Sequence, residues 1–310
     1  MSDLTRPGLL GVAVDLMARH RDRAIEMARV ADAHRADFVS VPDHAYHPGE
    51  LETWTMLTAL ATRTEHVAVA SNVLNLRRRP PAMLAKAAAS LQVLSGGRVV
   101  LGVGAGQPSD PRTSFGGLRL TTGAAISALE EALELIRRLW DPAGDGPLSH
   151  SGMYYQVQEA EFGPVPEQAV PIWVGAFGPR MLALTGRLGD GWLPTNAFLD
   201  LADVPDMQRR IDDAAERAGR DPGRIRRVFN VMGEISDAAP RENGRRLVGP
   251  PSFWAEALHD YHERLGFDAF TFWPVAGERV DQVHRFFAHV RPQLGHRFQP
   301  AGVAGHVPAR

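Results

Sequence analysis

Asp43 and His44 stand side by side directly after the short apolar run Val39-Ser40-Val41-Pro42. A histidine can give or take a proton near neutral pH, and a neighbouring carboxylate can hold its ring in one orientation or accept a hydrogen bond from a ligand. The chemistry this pair could do is therefore proton exchange with a bound group at the end of a strand. The plainer reading is that Asp43 caps the next helical turn and His44 is a loop histidine, since Asp is a favoured cap.

Two glycine-rich turns follow comparable strands. Arg98-Val99-Val100-Leu101-Gly102-Val103 runs into Gly104-Ala105-Gly106-Gln107, which lacks the third glycine of a dinucleotide fingerprint and has no helix starting at once. It still offers unhindered backbone, whose amides can approach a flat ring or a phosphate. The second turn is Gly175-Ala176-Phe177-Gly178, between the strand Ile172-Trp173-Val174 and a helix starting near Pro179. Exposed amides at the positive end of a helix make an anion site, although glycine can also serve turn geometry alone. Arg77-Arg78-Arg79 precedes Pro80-Pro81 and would set three guanidiniums on the ligand face; such runs otherwise sit in solvent.

Other chemistries are disfavoured. The chain has no cysteine, which removes disulfides, thiolate nucleophiles and cysteine-ligated metals. Its only lysine, Lys86, lies in an alanine-rich helical pattern unsuited to Schiff-base work. Asp43, His44 and His47 find no partner to complete a metal site, so no metal is expected, and no Gly-x-Ser-x-Gly elbow is present. A net charge of −2 gives no footprint for nucleic acid, and no apolar run nears the roughly 20 residues that span a bilayer. The amino terminus lacks a basic stretch followed by an apolar one, so a cytoplasmic protein is expected.

Positioning these residues requires parallel strands whose carboxyl ends share one face. Strand patterns occur at Leu9 to Asp15, Phe38 to Val41, Val67 to Ser71, Val99 to Val103, Ile172 to Val174, Gly191 to Leu193, Arg227 to Glu234 and Ala269 to Trp273. Helical periodicity fills the intervals at 21–35, 51–63, 81–94, 124–140, 179–188, 205–218, 251–265 and 279–290. Eight alternating pairs match a (β/α)8 TIM barrel, with an open doubly wound sheet as the competitor, and 1–310 reads as one domain. Segments 104–123 and 141–170 exceed ordinary connections and are expected to be lids or binding segments, making insertions after strands 3–5.

In combination, Val41-Pro42-Asp43-His44, Ala61-Thr62-Arg63-Thr64, Leu94-Ser95-Gly96-Gly97-Arg98, Gly102-Val103-Gly104-Ala105-Gly106, Pro171 to Gly178 and Gly189-Asp190-Gly191-Trp192 resemble the luciferase-like monooxygenase superfamily of flavin- and deazaflavin-dependent oxidoreductases. The resemblance implies a bacterial-luciferase-like barrel that binds coenzyme F420, a deazaflavin, or alternatively FMN. It implies His44 as proton donor or acceptor beside the reacting carbon. Asp43, the 104–107 turn (Gly104, Ala105, Gly106, Gln107) and the 175–179 turn (Gly175, Ala176, Phe177, Gly178, Pro179) would hold the cofactor. A non-proline cis peptide behind the ring would fall at Asn72-Val73.

One position departs from the family pattern. Relatives that oxidise sugar phosphates carry Glu after the Gly-x-Gly turn, where this chain has Gln107. An amide does not exchange a proton near neutral pH, which argues against sugar-phosphate oxidation and makes Gln107 a hydrogen-bonding contact. Hydride transfer between F420 and a small organic substrate is the leading expectation. An FMN-dependent monooxygenase supplied by a partner reductase is the alternative, and a non-catalytic flavin-binding protein the remote one. A homodimer is a further expectation.

Overall fold

The computed structural model describes residues 4–298 except 107–115, 142, 145, 244 and 296–297. Eight parallel strands form the barrel: β1 (Leu9–Ala13), β2 (Phe38–Val41), β3 (Ala68–Ser71), β4 (Val99–Gly104), β5 (Ile172–Val174), β6 (Gly191–Trp192), β7 (Arg226–Ile235) and β8 (Ala269–Pro274). Each pairs with the next, β8 pairs with β1 through Leu9↔Ala269 to Val12↔Phe272, and Arg226↔Gly191 joins β7 to β6. The sheet is closed, so the expected barrel is present and the open doubly wound alternative is not.

A helix follows every strand: α1 (Arg21–Ala33), α2 (Thr53–Ala61), α3 (Pro81–Ser95), α4 (Thr122–Leu139), α5 (Pro179–Leu188), α6 (Val204–Arg217), α7 (Pro251–Leu265) and α8 (Arg279–Arg285). Their ends carry local signals. Proline opens α3, α5 and α7, where its missing N–H costs no helical bond, and Thr121 caps α4 by accepting from the Ala124 amide. Gly96 ends α3 at φ 66°, a left-handed conformation that other residues adopt at a cost.

The barrel interior is a small core of its own. Leu9, Phe38, Ala68, Ala70, Val100, Trp173, Leu193, Val228 and Ala269 cluster there, apart from the larger core between strands and helices. Phe38 and Trp173 meet edge to face with centroids 5.1 Å apart. They fit because their neighbours are glycine: a Cβ on Gly11 would lie 2.4 Å from the Phe38 ring, and one on Gly191 would lie 2.4 Å from Trp173. Both rings are wholly buried, and a buried side chain of this kind stabilises by roughly 2–3 kcal/mol.

The opposite, amino-terminal end is tied by Arg98, whose guanidinium donates to the carbonyls of Ala61, Thr64, Val67 and Ser95. Asp190 does similar work, accepting from Arg137, Arg220 and the Ile172 amide.

The 141–170 segment differs from its expectation. It joins α4 to β5 and contains a hairpin, Leu148–Ser151 with Gln156–Ala160, clamped along α4 because Glu131 accepts from the Tyr154 and Tyr155 amides and His150. An α-to-β connection leads to the amino ends of the strands, so this segment is not a lid. A second hairpin, Arg241–Asn243 with Arg246–Gly249, follows β7. Among the described residues no helix is long and apolar enough to cross a membrane. Met83, Val93 and Leu94 stand exposed on α3.

Candidate active site

The carboxyl ends of the strands enclose a cavity of about 670 Å³, in the range of small-molecule and cofactor pockets. Residues from β2, β3, β4, β5, β6, β7 and β8, or the loops directly after them, line it.

Its floor is polar. Asn72 and Asn230 exchange two hydrogen bonds across the barrel, at 2.7 and 3.1 Å, and the Asn72 amide also donates to Ser40 Oγ at 3.1 Å. Burial makes this reciprocal pairing necessary, because an amide left without a partner there would lose the hydrogen bonds it makes in water. The Asn72-Val73 peptide is cis. Val73 then lies against two glycines: a Cβ at Gly104 would come 3.0 Å from Val73 Cγ2, and one at Gly175 would come 3.1 Å from it. These glycines therefore make room for Val73 as well as leaving backbone exposed to the cavity.

Asp43 and His44 divide their tasks. Asp43 Oδ1 accepts from the Thr53 hydroxyl at 3.0 Å and its Oδ2 from the Asn75 amide at 2.9 Å, while Arg79 donates to both oxygens. Burial pushes the Asp43 carboxyl up, but Arg79, with Asn75 and Thr53, outweighs this and holds it below the usual carboxylate range. Asp43 thus fastens the end of β2 to the loop after β3. His44 is held instead by Glu50, whose Oε2 lies 3.1 Å from Nδ1, leaving Nε2 as the ring nitrogen Glu50 does not engage. Residues 44–50 form an irregular loop with no helical or strand repeat to relate its side chains, which is why Glu50 does not stand out in the sequence.

The three arginines separate. Arg79 pairs with Asp43 and Glu52, Arg77 is buried, and Arg78 lines the cavity with its guanidinium 5.1 Å from the Tyr46 ring centroid. The expectation of three guanidiniums facing the ligand reduces to one, because the buried Asp43 carboxylate needs a counter-charge.

Gly104, Ala105 and Gly106 line one wall and Gly175, Phe177 and Gly178 another, with Ala176 buried behind and Pro179 opening α5. Gly106 has φ 73°, and a Cβ there would lie 2.5 Å from Asn75 Nδ2. Asn75 Oδ1 is buried without a partner among the described residues. Gln107 lies outside the described residues. Lining residues that the sequence did not single out include Tyr46, Leu74, Asn75, Thr122, Ile126, Met181, Leu193, Thr195, Phe198, Asn230 and Trp273. They come from at least six different strands, helices and loops, so only closure of the barrel gathers them. Among the described residues no group of three or more His, Asp or Glu is placed to hold a metal ion.

Comparison with known proteins agrees with this geometry. The model of the luciferase-like monooxygenase family matches residues 7–269. An F420-dependent glucose-6-phosphate dehydrogenase of Rhodococcus erythropolis is 28% identical over 290 residues, covering 88% of this chain and 85% of the relative. One from Amycolatopsis mediterranei is 34% identical over 242 residues, covering 76% and 72%. Among solved structures, an F420-dependent secondary alcohol dehydrogenase in complex with an F420-acetone adduct superposes with TM-score 0.82 at 18% identity, over 93% of this chain and 99% of that one.

Proposed function

The chain belongs to the luciferase-like monooxygenase family, and from that premise we propose that it transfers a hydride between coenzyme F420 and a small organic substrate, with His44 giving or taking the accompanying proton. The observation that carries this reading is His44 lining the cavity, its Nδ1 engaged by half-buried Glu50 while Nε2 remains for a ligand. The F420-dependent relatives support the choice of cofactor.

The residues present fit a deazaflavin. Asn75 Oδ1 needs a donor, which the imide edge of a flavin or deazaflavin ring carries, and Val73 offers an apolar surface beside the polar floor. Gly104 to Gly106 and Gly175 to Pro179 would hold the cofactor through their backbone, with Asn72, Val73 and Asp43 behind it. When bound, the coenzyme supplies two-electron hydride chemistry. The protein's part is then to orient the reactants, keep the His44 ring in one position through Glu50, and move a proton at Nε2.

FMN carries the same imide edge and fits the same partnerless oxygen, so an FMN-dependent monooxygenase with a reductase partner is the second reading. Titration of the protein with F420 and separately with FMN, following quenching of ring fluorescence, decides between them. Tighter binding of FMN would sink the F420 assignment, and a bound cofactor never reoxidised by any substrate would favour the non-catalytic reading. Gln107 and the single guanidinium among the described lining residues support a substrate other than a sugar phosphate. A second copy of the chain is a proposed partner, supported by exposed Met83, Val93 and Leu94 on α3. A monomeric mass in analytical ultracentrifugation would remove it.

A further inference from the structure

Three histidines that do not line the cavity gather on the flank of the barrel. His34 caps the carboxyl end of α1, His284 lies on α8, and His289 lies in the π-helical turn Phe286–Val290 that continues α8. α1 and α8 are the first and last helices of the barrel, and they pack side by side because β1 pairs with β8. Across this seam His34 Nε2 stands 2.9 Å from His284 Nδ1, with ring centroids 4.9 Å apart. The His289 ring stands edge to face with His284, centroids 6.3 Å apart. Residues five apart lie about 140° from each other around a regular α-helix, on different faces. The wider π turn, with its i→i+5 bonds, is what sets His289 beside His284, and such turns are rare and recur at functional sites.

Two imidazole nitrogens 2.9 Å apart can share a proton, and they are equally spaced for one metal ion. Nitrogens that ligate at about 2.0–2.1 Å and at a right angle to one another lie about 2.9 Å apart, the spacing of neighbouring ligands in tetragonal and octahedral sites. His284 and His289 are exposed and His34 is half-buried, so water can complete the coordination and His289 can turn toward the ion. The class of ion follows from the surroundings. Arg291 donates to the His34 carbonyl at 2.6 Å, and its charge opposes a cation held by charge alone, such as Mg²⁺ or Ca²⁺, which take oxygen ligands. Imidazole suits zinc, copper and nickel, which bind it through its lone pair. We propose that His34 and His284 bind a divalent late transition-metal ion, Cu²⁺, Ni²⁺ or Zn²⁺, with His289 turning in as a third ligand, and that the ion clips the first helix of the barrel to the last. On binding, the ring that donates the shared hydrogen bond changes tautomer, its proton passing through water to its other nitrogen, so that both lone pairs face the ion. The site is independent of the cofactor reading above.

The test is calorimetric titration of the metal-stripped whole chain with CuSO₄, NiCl₂, ZnCl₂ and MgCl₂. One ion per chain is expected, tightest for Cu²⁺ as the order of divalent affinities at nitrogen sites requires, with no binding of Mg²⁺. His34→Gln and His284→Gln are each expected to weaken Ni²⁺ binding by at least the roughly 10–100-fold that loss of an outer-shell partner costs a metal site, and His289→Gln by less. Ni²⁺ should raise the melting temperature of the wild type and slow hydrogen exchange in α8, and should do neither in the double variant His34→Gln/His284→Gln. Absence of saturable binding, or binding unchanged in the double variant, overturns the site. Binding that survives there and is lost in His47→Gln places the ion in the 44–50 loop and overturns it as well. Saturable binding with no change in melting or exchange overturns the clip, and an unchanged affinity in His289→Gln removes the third ligand.

Discussion

His44 Nδ1 lies 3.1 Å from Glu50 Oε2, and Glu50 is the more buried of the two, with its side chain 15% exposed against 38% for His44. The less exposed carboxylate therefore holds the more exposed ring. His44→Ala is predicted to leave F420 affinity within a few fold and to lower kcat by about 10² or more, the usual loss for a general acid–base residue. Glu50→Ala should lower kcat with little change in cofactor affinity, and Glu50→Gln, which can still hold the ring through an amide oxygen, should restore part of it. Equal losses of binding and turnover in His44→Ala would make His44 a ligand contact instead.

Asp43 is buried and takes its counter-charge from Arg79, so removing Arg79 strands the carboxylate. Arg79→Ala is predicted to destabilise the protein by about 3 kcal/mol in chemical denaturation, since it leaves the buried Asp43 carboxylate without its counter-charge. A midpoint shift too small to separate from wild type would refute this.

The same pair sets an acid limit. The folded-state pKa of Asp43 is held below its unfolded value, so its contribution is fully present above the ordinary Asp value near 4 and is lost as pH falls through the lower folded value. The difference in melting temperature between wild type and Asp43→Asn should therefore be constant near neutrality and shrink below about pH 4. A difference that grows on acidification would reverse the sign assigned here.

Gly106→Val meets two obstacles, a backbone at φ 73° and the Asn75 side chain 2.5 Å from the new Cβ. Displacing Asn75 alters the cavity wall, so loss of measurable F420 binding is expected. Retained affinity in the titration would move the cofactor away from this turn.

Asn230→Ala leaves the Asn72 amide without its partner across the floor. A loss of about 1–3 kcal/mol is expected, the penalty for an unsatisfied buried polar group. A neutral result by thermal melting would show that the pairing contributes little.

The sequence made the barrel legible because alternating strand and helical periods report which faces are buried, and all eight units lie where those periods place them. The Asn72-Val73 cis peptide also falls where the resemblance implied it. The motifs themselves were less transparent. Arg98, Asp190 and Gly191, which carry much of the resemblance, pack the far end and interior of the barrel. Arg77-Arg78-Arg79 looked uniform, but only the fold shows that Asp43 claims one of them. The hairpin in 141–170 resembles a lid by length alone, since distance along the chain does not say which end of the barrel a loop reaches.

Phe38 and Trp173 fill the barrel below the Asn72–Asn230 floor, and the glycines that admit them tolerate no side chain. Deepening the pocket means removing one of these buried rings or a floor amide, at a cost of several kcal/mol in stability. Adaptation to a new substrate, whether by evolution or by engineering, costs less around the rim, where Phe177 and Phe198 sit on separate loops, Trp273 at a strand end and Ile126 on α4, and each can change alone.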